Sequence, residues 1–205
     1  VRQDLGILIK AVKDTLEQAD LEDRYLVPYF DVPQTIFRGL RALLDDQVAP
    51  LRRAQAVVRL KRYSGLEQGY TPITVLAQDR MREGLARPDL QGPFKGEIEK
   101  HLANSGRYVE GIGKLFEKYK LEGWTEAQAA LVKQVADYES FLKTEMLPRA
   151  RSDFRLPPDL YAFALRQFGV DLPPAEVAER AHISFAEIQN EMKALAPLVA
   201  REKGF

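Results

Sequence analysis

The chain has 205 residues, of which 45% are hydrophobic and 29% charged, enough length and apolar side chain to build a core and too much to remain wholly disordered. Thirty Lys and Arg offset thirty Asp and Glu, so no global field gathers nucleic acid, anionic lipid or acidic substrate, and partners are selected by local features. The lack of cysteine excludes disulfides, thiolate nucleophiles and sulfur-ligated zinc.

Apolar spacing of three and four residues predicts helices almost throughout. In the first segment Leu5, Ile9, Val12 and Leu16 fall on one face, and the pattern stops at Asp20 to Asp23. Tyr25 to Pro33, with two prolines, reads as an extended connector. A second helix follows from Gln34 with Ile36, Phe37, Leu40, Leu43 and Leu44, and Pro50 is placed to start a third that runs to about Tyr63. Gly65 and Gly69 break it; Thr71 then caps a helix begun by Pro72 and ended before Pro88. Arg87 to Pro93, with two prolines and Gly92, is the candidate subdomain hinge, with a plain loop as the alternative.

Two helices, from about Phe94 to Asn104 and from about Arg107 to Lys120, are expected on either side of Ser105 and Gly106. Thr125 and Gln128 have capping-box spacing, and the helix they open carries Leu131, Val135, Tyr138 and Leu142 on one face as far as Leu147. A short helix carries Tyr161, Phe163, Ala164 and Phe168, and Pro173 and Pro174 begin the last. In that helix Val177, Ala181, Phe185, Ile188, Met192, Leu195 and Val199 form one apolar stripe that needs a partner surface. If the stripe is core, Phe185→Ala costs about 3 to 5 kcal/mol. The fold class is therefore all-α: an irregular multi-helix bundle of about eight to ten helices with little or no β-structure, in one domain over residues 1–205.

The chemistry-bearing residues are sparse. His101 and His182 are the two histidines, and neither stands in an HExxH zinc signature. Glu179 and His182 make one Glu-x-x-His step, and Glu97 and His101 stand four apart; di-iron bundles need two full steps and two further glutamates, so helix-surface ion pairs are the simpler reading. No Gly-x-Ser-x-Gly elbow is present. Gly111 and Gly113 sit in a helical pattern without a phosphate-loop Lys-Ser or Lys-Thr, which points to close helix packing. Arg38, Arg41, Arg52, Arg53, Arg59, Lys61 and Arg62 form a basic stretch beside Tyr63, broken by Asp45 and Asp46, and read as a salt-bridged helix face rather than a nucleic-acid site. Trp124 is placed to staple the start of the helix at Thr125. No window approaches the length of apolar sequence that spans a membrane.

The carboxy-terminal third carries four ordered runs: Leu142 to Arg151, Leu156 to Leu165 with its Leu-Pro-Pro-Asp-Leu-Tyr start, Leu172 to Val177, and Ile188 to Met192. Together they resemble the bacterial domain-of-unknown-function 885 family over about Thr125 to Met192, with Ala181 where that family usually has glycine. Upstream the similarity rests on helical character and on phrases such as Leu60 to Gly65. The resemblance implies a longer, mainly helical relative of the gluzincin zinc peptidases, with an HExxH-type helix and its zinc downstream of this chain. No catalytic, cofactor or metal residue is carried over onto these positions. What it does imply is an amino-terminal helical domain that forms one wall or lid of a peptide cleft, inactive by itself and partnered by the downstream catalytic domain and by peptide substrate. Phe154 to Phe168 is the candidate cleft-facing element, with Tyr161 presenting its hydroxyl; packing of Tyr161 in the core is the alternative. The resemblance implies a bacterial source; the start at Val1 rather than Met leads us to expect a removed upstream segment, with which any signal for export to the periplasm or as a lipoprotein would have gone, and the compartment stays open. The competing readings are a freestanding helical scaffold or interaction protein and, more distantly, a metal-binding bundle.

Overall fold

The computed structural model describes residues 2–204, with the side chain of Arg2 left aside. Among these residues there are eight α-helices: α1 (Arg2–Tyr25), α2 (Val32–Arg41), α3 (Gln55–Tyr63), α4 (Ile73–Leu85), α5 (Lys95–Lys118), α6 (Thr125–Phe141), α7 (Pro158–Gln167) and α8 (Pro174–Lys203). β-Structure among the described residues is confined to two isolated parallel bridges, Leu26 with Gln91 and Phe94 with Arg151. The all-α bundle predicted from periodicity is the fold observed. The chain forms two compact units, Glu22–Phe154 and the pair of segments Val1–Leu21 and Arg155–Phe205.

The unit Glu22–Phe154 holds the main core. Ile36, Leu40, Leu60, Met81, Ile98, Ile112, Phe116, Leu131 and Met146 are fully buried in one cluster, drawn from α2 to α6 and the turn after α6. These residues recur at helical spacing in the sequence, so the faces that pack are those the periodicity marks. Gly111 lets α5 approach α2: a Cβ there would lie 2.8 Å from the Phe37 ring. Gly113 meets Trp124 only at an ordinary 3.7 Å.

Several expected boundaries shift, each for a local reason. Thr71 does not cap α4; Pro72 is the N-cap, extended at φ −52°, ψ 133°, and its ring packs against the backbone of Gly65. The third helix opens as a 3-10 turn over Pro50–Arg52, and regular α-structure starts only at Gln55. The two helices expected around Ser105 and Gly106 are one, because α5 runs unbroken from Lys95 to Lys118. Ser105 is 2% exposed there, and the burial of the surrounding face outweighs the weak helix preference of serine and glycine. The Thr125–Gln128 capping box does not form. Trp124 takes the N-cap position, stacks on Phe116 with centroids 5.4 Å apart and donates its indole hydrogen to the Leu121 carbonyl at 2.8 Å. Gln128 instead donates to the Val109 carbonyl at 2.8 Å, which ties α6 to α5. The rod expected to reach Leu147 does continue, but as a π-turn over Leu142–Met146 and a 3-10 turn over Leu147–Arg149.

The segment Arg87 to Pro93 lies inside the unit Glu22–Phe154. Its backbone is bonded on both sides: Gln91 donates to the Tyr25 carbonyl at 2.9 Å and Val27 to Gln91 at 2.9 Å, while Arg151 donates to Pro93 at 3.0 Å.

In the second unit α7 buries Leu160 and Phe163, and Arg166 pairs with Glu17 of α1. The stripe on α8 is not core here. Phe185, Ile188, Met192, Leu195 and Val199 are 49% to 66% exposed, as are Leu5, Ile9, Val12 and Leu16 of α1 at 48% to 62%. Phe168, expected within the short helix, is instead its C-cap and 86% exposed.

Candidate functional site

A polar cluster in the unit Glu22–Phe154 lies where the segment before α2 meets α5 and the end of α6. Asp31 is the N-cap of α2, and its Oδ1 accepts from the Gln34 amide at 3.1 Å, the role a short acidic side chain takes at a helix start. Its other oxygen, Oδ2, is buried without a hydrogen-bond partner and lies 3.5 Å from His101 Nε2 on α5. The far nitrogen of that ring, Nδ1, is 2.9 Å from the Tyr29 hydroxyl, and the two rings are parallel to within 4°. One turn along α5, the hydroxyl of Ser105 is also buried and unpartnered. Tyr138 of α6 donates its hydroxyl to the Phe30 carbonyl at 2.6 Å. A cavity of about 10 Å³ is bordered by Asp31, His101, Ser105, Tyr138 and Glu139.

Burial, reinforced by Asp31 and Glu97, drives the Tyr29 ionisation far above the ordinary tyrosine value. Burial does the same to Tyr138, with Tyr29 and Asp31 adding to it. Both phenols therefore stay protonated, and the Tyr29 hydroxyl is a donor towards His101 Nδ1. The tautomer consistent with both contacts carries its hydrogen on Nε2, facing the Asp31 carboxylate. The series carboxylate, imidazole, hydroxyl has the order of a nucleophilic triad. Its chemistry is different: a phenol pushed away from ionisation is a poor nucleophile. The cluster holds the Tyr29–Asp31 segment on α5 and α6.

Sequence reasoning placed His101 in a surface pair with Glu97. The structure gives it to Tyr29 and Asp31 instead, at 20% side-chain exposure, because α5 turns that face towards the connector. Only the cap could have been read in advance, from Asp31 three residues before Gln34; the partners of His101, 72 residues away for Tyr29, carry no local signal. Glu179 and His182 are both exposed on α8. Tyr161, the candidate cleft residue, is 44% exposed on α7, while Leu160 and Phe163 take the buried positions.

The basic stretch is partly consumed by the fold. Arg59 donates to the Gly39 carbonyl at 3.0 Å, Arg53 lies over the Tyr119 ring at 4.7 Å, and Arg62 makes two hydrogen bonds to Glu67. Among the described residues no group of three or more His, Asp or Glu is placed to hold a metal ion, so these side chains do not fit a zinc site. No described helix is long and apolar enough to cross a membrane.

By fold the described residues form an all-α, multi-helix protein. In sequence it belongs to DUF885, a family described as bacterial protein of unknown function, whose model matches residues 1–204. No curated protein and no solved structure matches it.

Proposed function

We propose that the chain is the amino-terminal helical part of a gluzincin-like zinc metallopeptidase and supplies one wall or lid of its peptide cleft. In this reading zinc and the general base belong to a downstream catalytic portion, and no step of the chemistry is performed by these residues. The reading draws on the resemblance carried by the Leu142 to Met192 motifs, and the observation that carries it is the apolar row of α8. Five large side chains from Phe185 to Val199 are about half exposed or more, and contiguous apolar surface of that kind marks an interaction face. The downstream portion is the surface we assign to it. Tyr161, half exposed beside the buried Phe163, is the residue we place towards substrate, where a closing helical body would exclude water.

The test compares this 205-residue chain with a protein extended downstream in the same reading frame. The extended protein is expected to bind zinc and to cleave peptides in a chelator-sensitive way, and the short chain to do neither. Chelator-sensitive turnover by the short chain alone contradicts the proposal, as does an extended frame without an HExxH helix. A second reading, a freestanding helical scaffold, draws on the matching exposed row of α1 at Leu5, Ile9, Val12 and Leu16; a stop codon directly after Phe205 favours it.

A further inference from the structure

We infer that the cavity between the Tyr29–Asp31 segment, α5 and the end of α6 is a binding site for one ordered water molecule, held by Asp31 Oδ2 and Ser105 Oγ. The inference is independent of the proposed peptidase role. Its first ground is chemical. A carboxylate oxygen that faces His101 Nε2 at 3.5 Å and a hydroxyl, each buried without a hydrogen bond, belong to residues that border the same cavity. Asp31 has 10% of its side chain exposed and Ser105 is 2% exposed, so bulk solvent does not satisfy them. Leaving either without a partner costs about 1 to 3 kcal/mol, and buried polar groups in folded proteins are almost always bonded.

The second ground is size. The cavity offers about 10 Å³, close to the minimum space that holds a single water and too small for an organic ligand. The third is polarity. Asp31 Oδ2 can only accept, and Ser105 Oγ can both donate and accept. A water that donates one hydrogen to the carboxylate and exchanges its second bond with the serine satisfies both. Lysine and arginine are absent from the lining, where Glu139 is a further acceptor residue and Tyr138 keeps its hydrogen for Phe30. The site wants a neutral donor, which water is.

This account also explains why a serine stands in the middle of a packed helix. At position 105 an apolar side chain would border the same cavity as a capping carboxylate and a histidine. A hydroxyl joined to them through water completes a chain from Tyr29 through His101 and Asp31 to Ser105. Ser105 is thus a positioning residue for the α2 cap, acting through the water on Asp31.

The experiment is a crystal structure of this chain at a resolution that places waters, paired with one of Ser105→Ala. The expected result is a density peak within about 2.6 to 3.2 Å of both Asp31 Oδ2 and Ser105 Oγ, weakened or lost in the variant, whose Tm falls by about 3 to 6 °C. The inference is overturned if the wild-type cavity holds no peak, if Ser105 Oγ bonds instead to the His101 carbonyl one turn back, or if the peak keeps its full height in Ser105→Ala. Should the variant fail to crystallise, an unchanged Tm in Ser105→Ala likewise overturns it, since loss of a bonded water at this site has to be felt.

Discussion

Tyr29 and Tyr138 hold the same connector from two helices, and the ionisation of both is displaced upwards by burial. The sign of the resulting pH dependence follows from linkage. Their contribution to stability is complete below the ordinary tyrosine value of 10.0 and declines above it, because the unfolded chain releases protons that the folded chain retains. Urea midpoints measured from pH 8 to 11 are expected to fall above pH 10, and Tyr29→Phe or Tyr138→Phe should flatten that fall. At neutral pH each variant should cost about 1 to 3 kcal/mol, through the His101 nitrogen or the Phe30 carbonyl left without its donor. Glycines give a second contrast at this scale. Gly106 sits inside α5 with open space where a Cβ would go, whereas a Cβ at Gly92 would overlap the carbonyl of Arg149. Gly106→Ala should stabilise the chain by about 0.5 to 1 kcal/mol. Gly92→Ala should destabilise it by several times as much, since backbone rather than a flexible side chain must yield. Thermal melts of the two variants in parallel test both signs.

Among the elements, α6 and α8 show what an apolar stripe can and cannot announce. Leu131, Val135 and Tyr138 on α6, and Leu142 at the start of the turn after it, are buried, as their spacing predicts. Val177 to Val199 have the same spacing on α8, yet no described residue of that stripe is buried. Periodicity fixes which residues share a face; it does not say whether the covering surface is in the same chain. Phe185→Ala, expected from the sequence to cost about 3 to 5 kcal/mol, should therefore cost less than about 1 kcal/mol here. Leu131→Ala, fully buried, should cost about 2 to 5 kcal/mol. Denaturant midpoints for the pair distinguish a covered face from an open one. Helix ends were legible where proline or glycine acts through the backbone, as at Gly65 after α3 and Pro174 at the start of α8. They were misread where a tertiary contact won. Trp124 displaced the Thr125 cap by stacking on Phe116, and Gln128 was drawn to Val109 of another helix. Asp31 carries the one local signal in the candidate site, but it falls inside the connector expected over Tyr25 to Pro33, whereas α2 starts at Val32; Tyr29, His101 and Tyr138 meet by packing alone.

Across the whole molecule the buried cluster from Val27 to Met146 falls entirely within Glu22–Phe154, one of the two compact units. An excised 22–154 segment is therefore expected to unfold cooperatively in urea, since it keeps the complete core on which independent stability depends. A broad, non-cooperative transition would show that the other unit is needed for it. The pairing of Arg82 with Glu145, at 3.0 and 3.1 Å, lies inside the same segment and joins α4 to the π-turn after α6. Hydrogen bonding to Arg82 lowers the Glu145 ionisation, so this contribution is present above the ordinary value of 4.5 and lost as the pH falls through the lowered one. Both side chains are more than 40% exposed, which keeps it small. The two isolated bridges have a larger reach. Val27 and Gln91, and Lys95 and Arg151, donate backbone hydrogens across gaps of about sixty residues in the chain, though none of these bonds belongs to a helix. Such amides can trade their hydrogen for deuterium only when distant stretches part together. In a heavy-water time course, Val27, Gln91 and Arg151 in what looks like irregular chain, and Lys95 at the very start of α5, should hold their protons as long as the middle of α5 does.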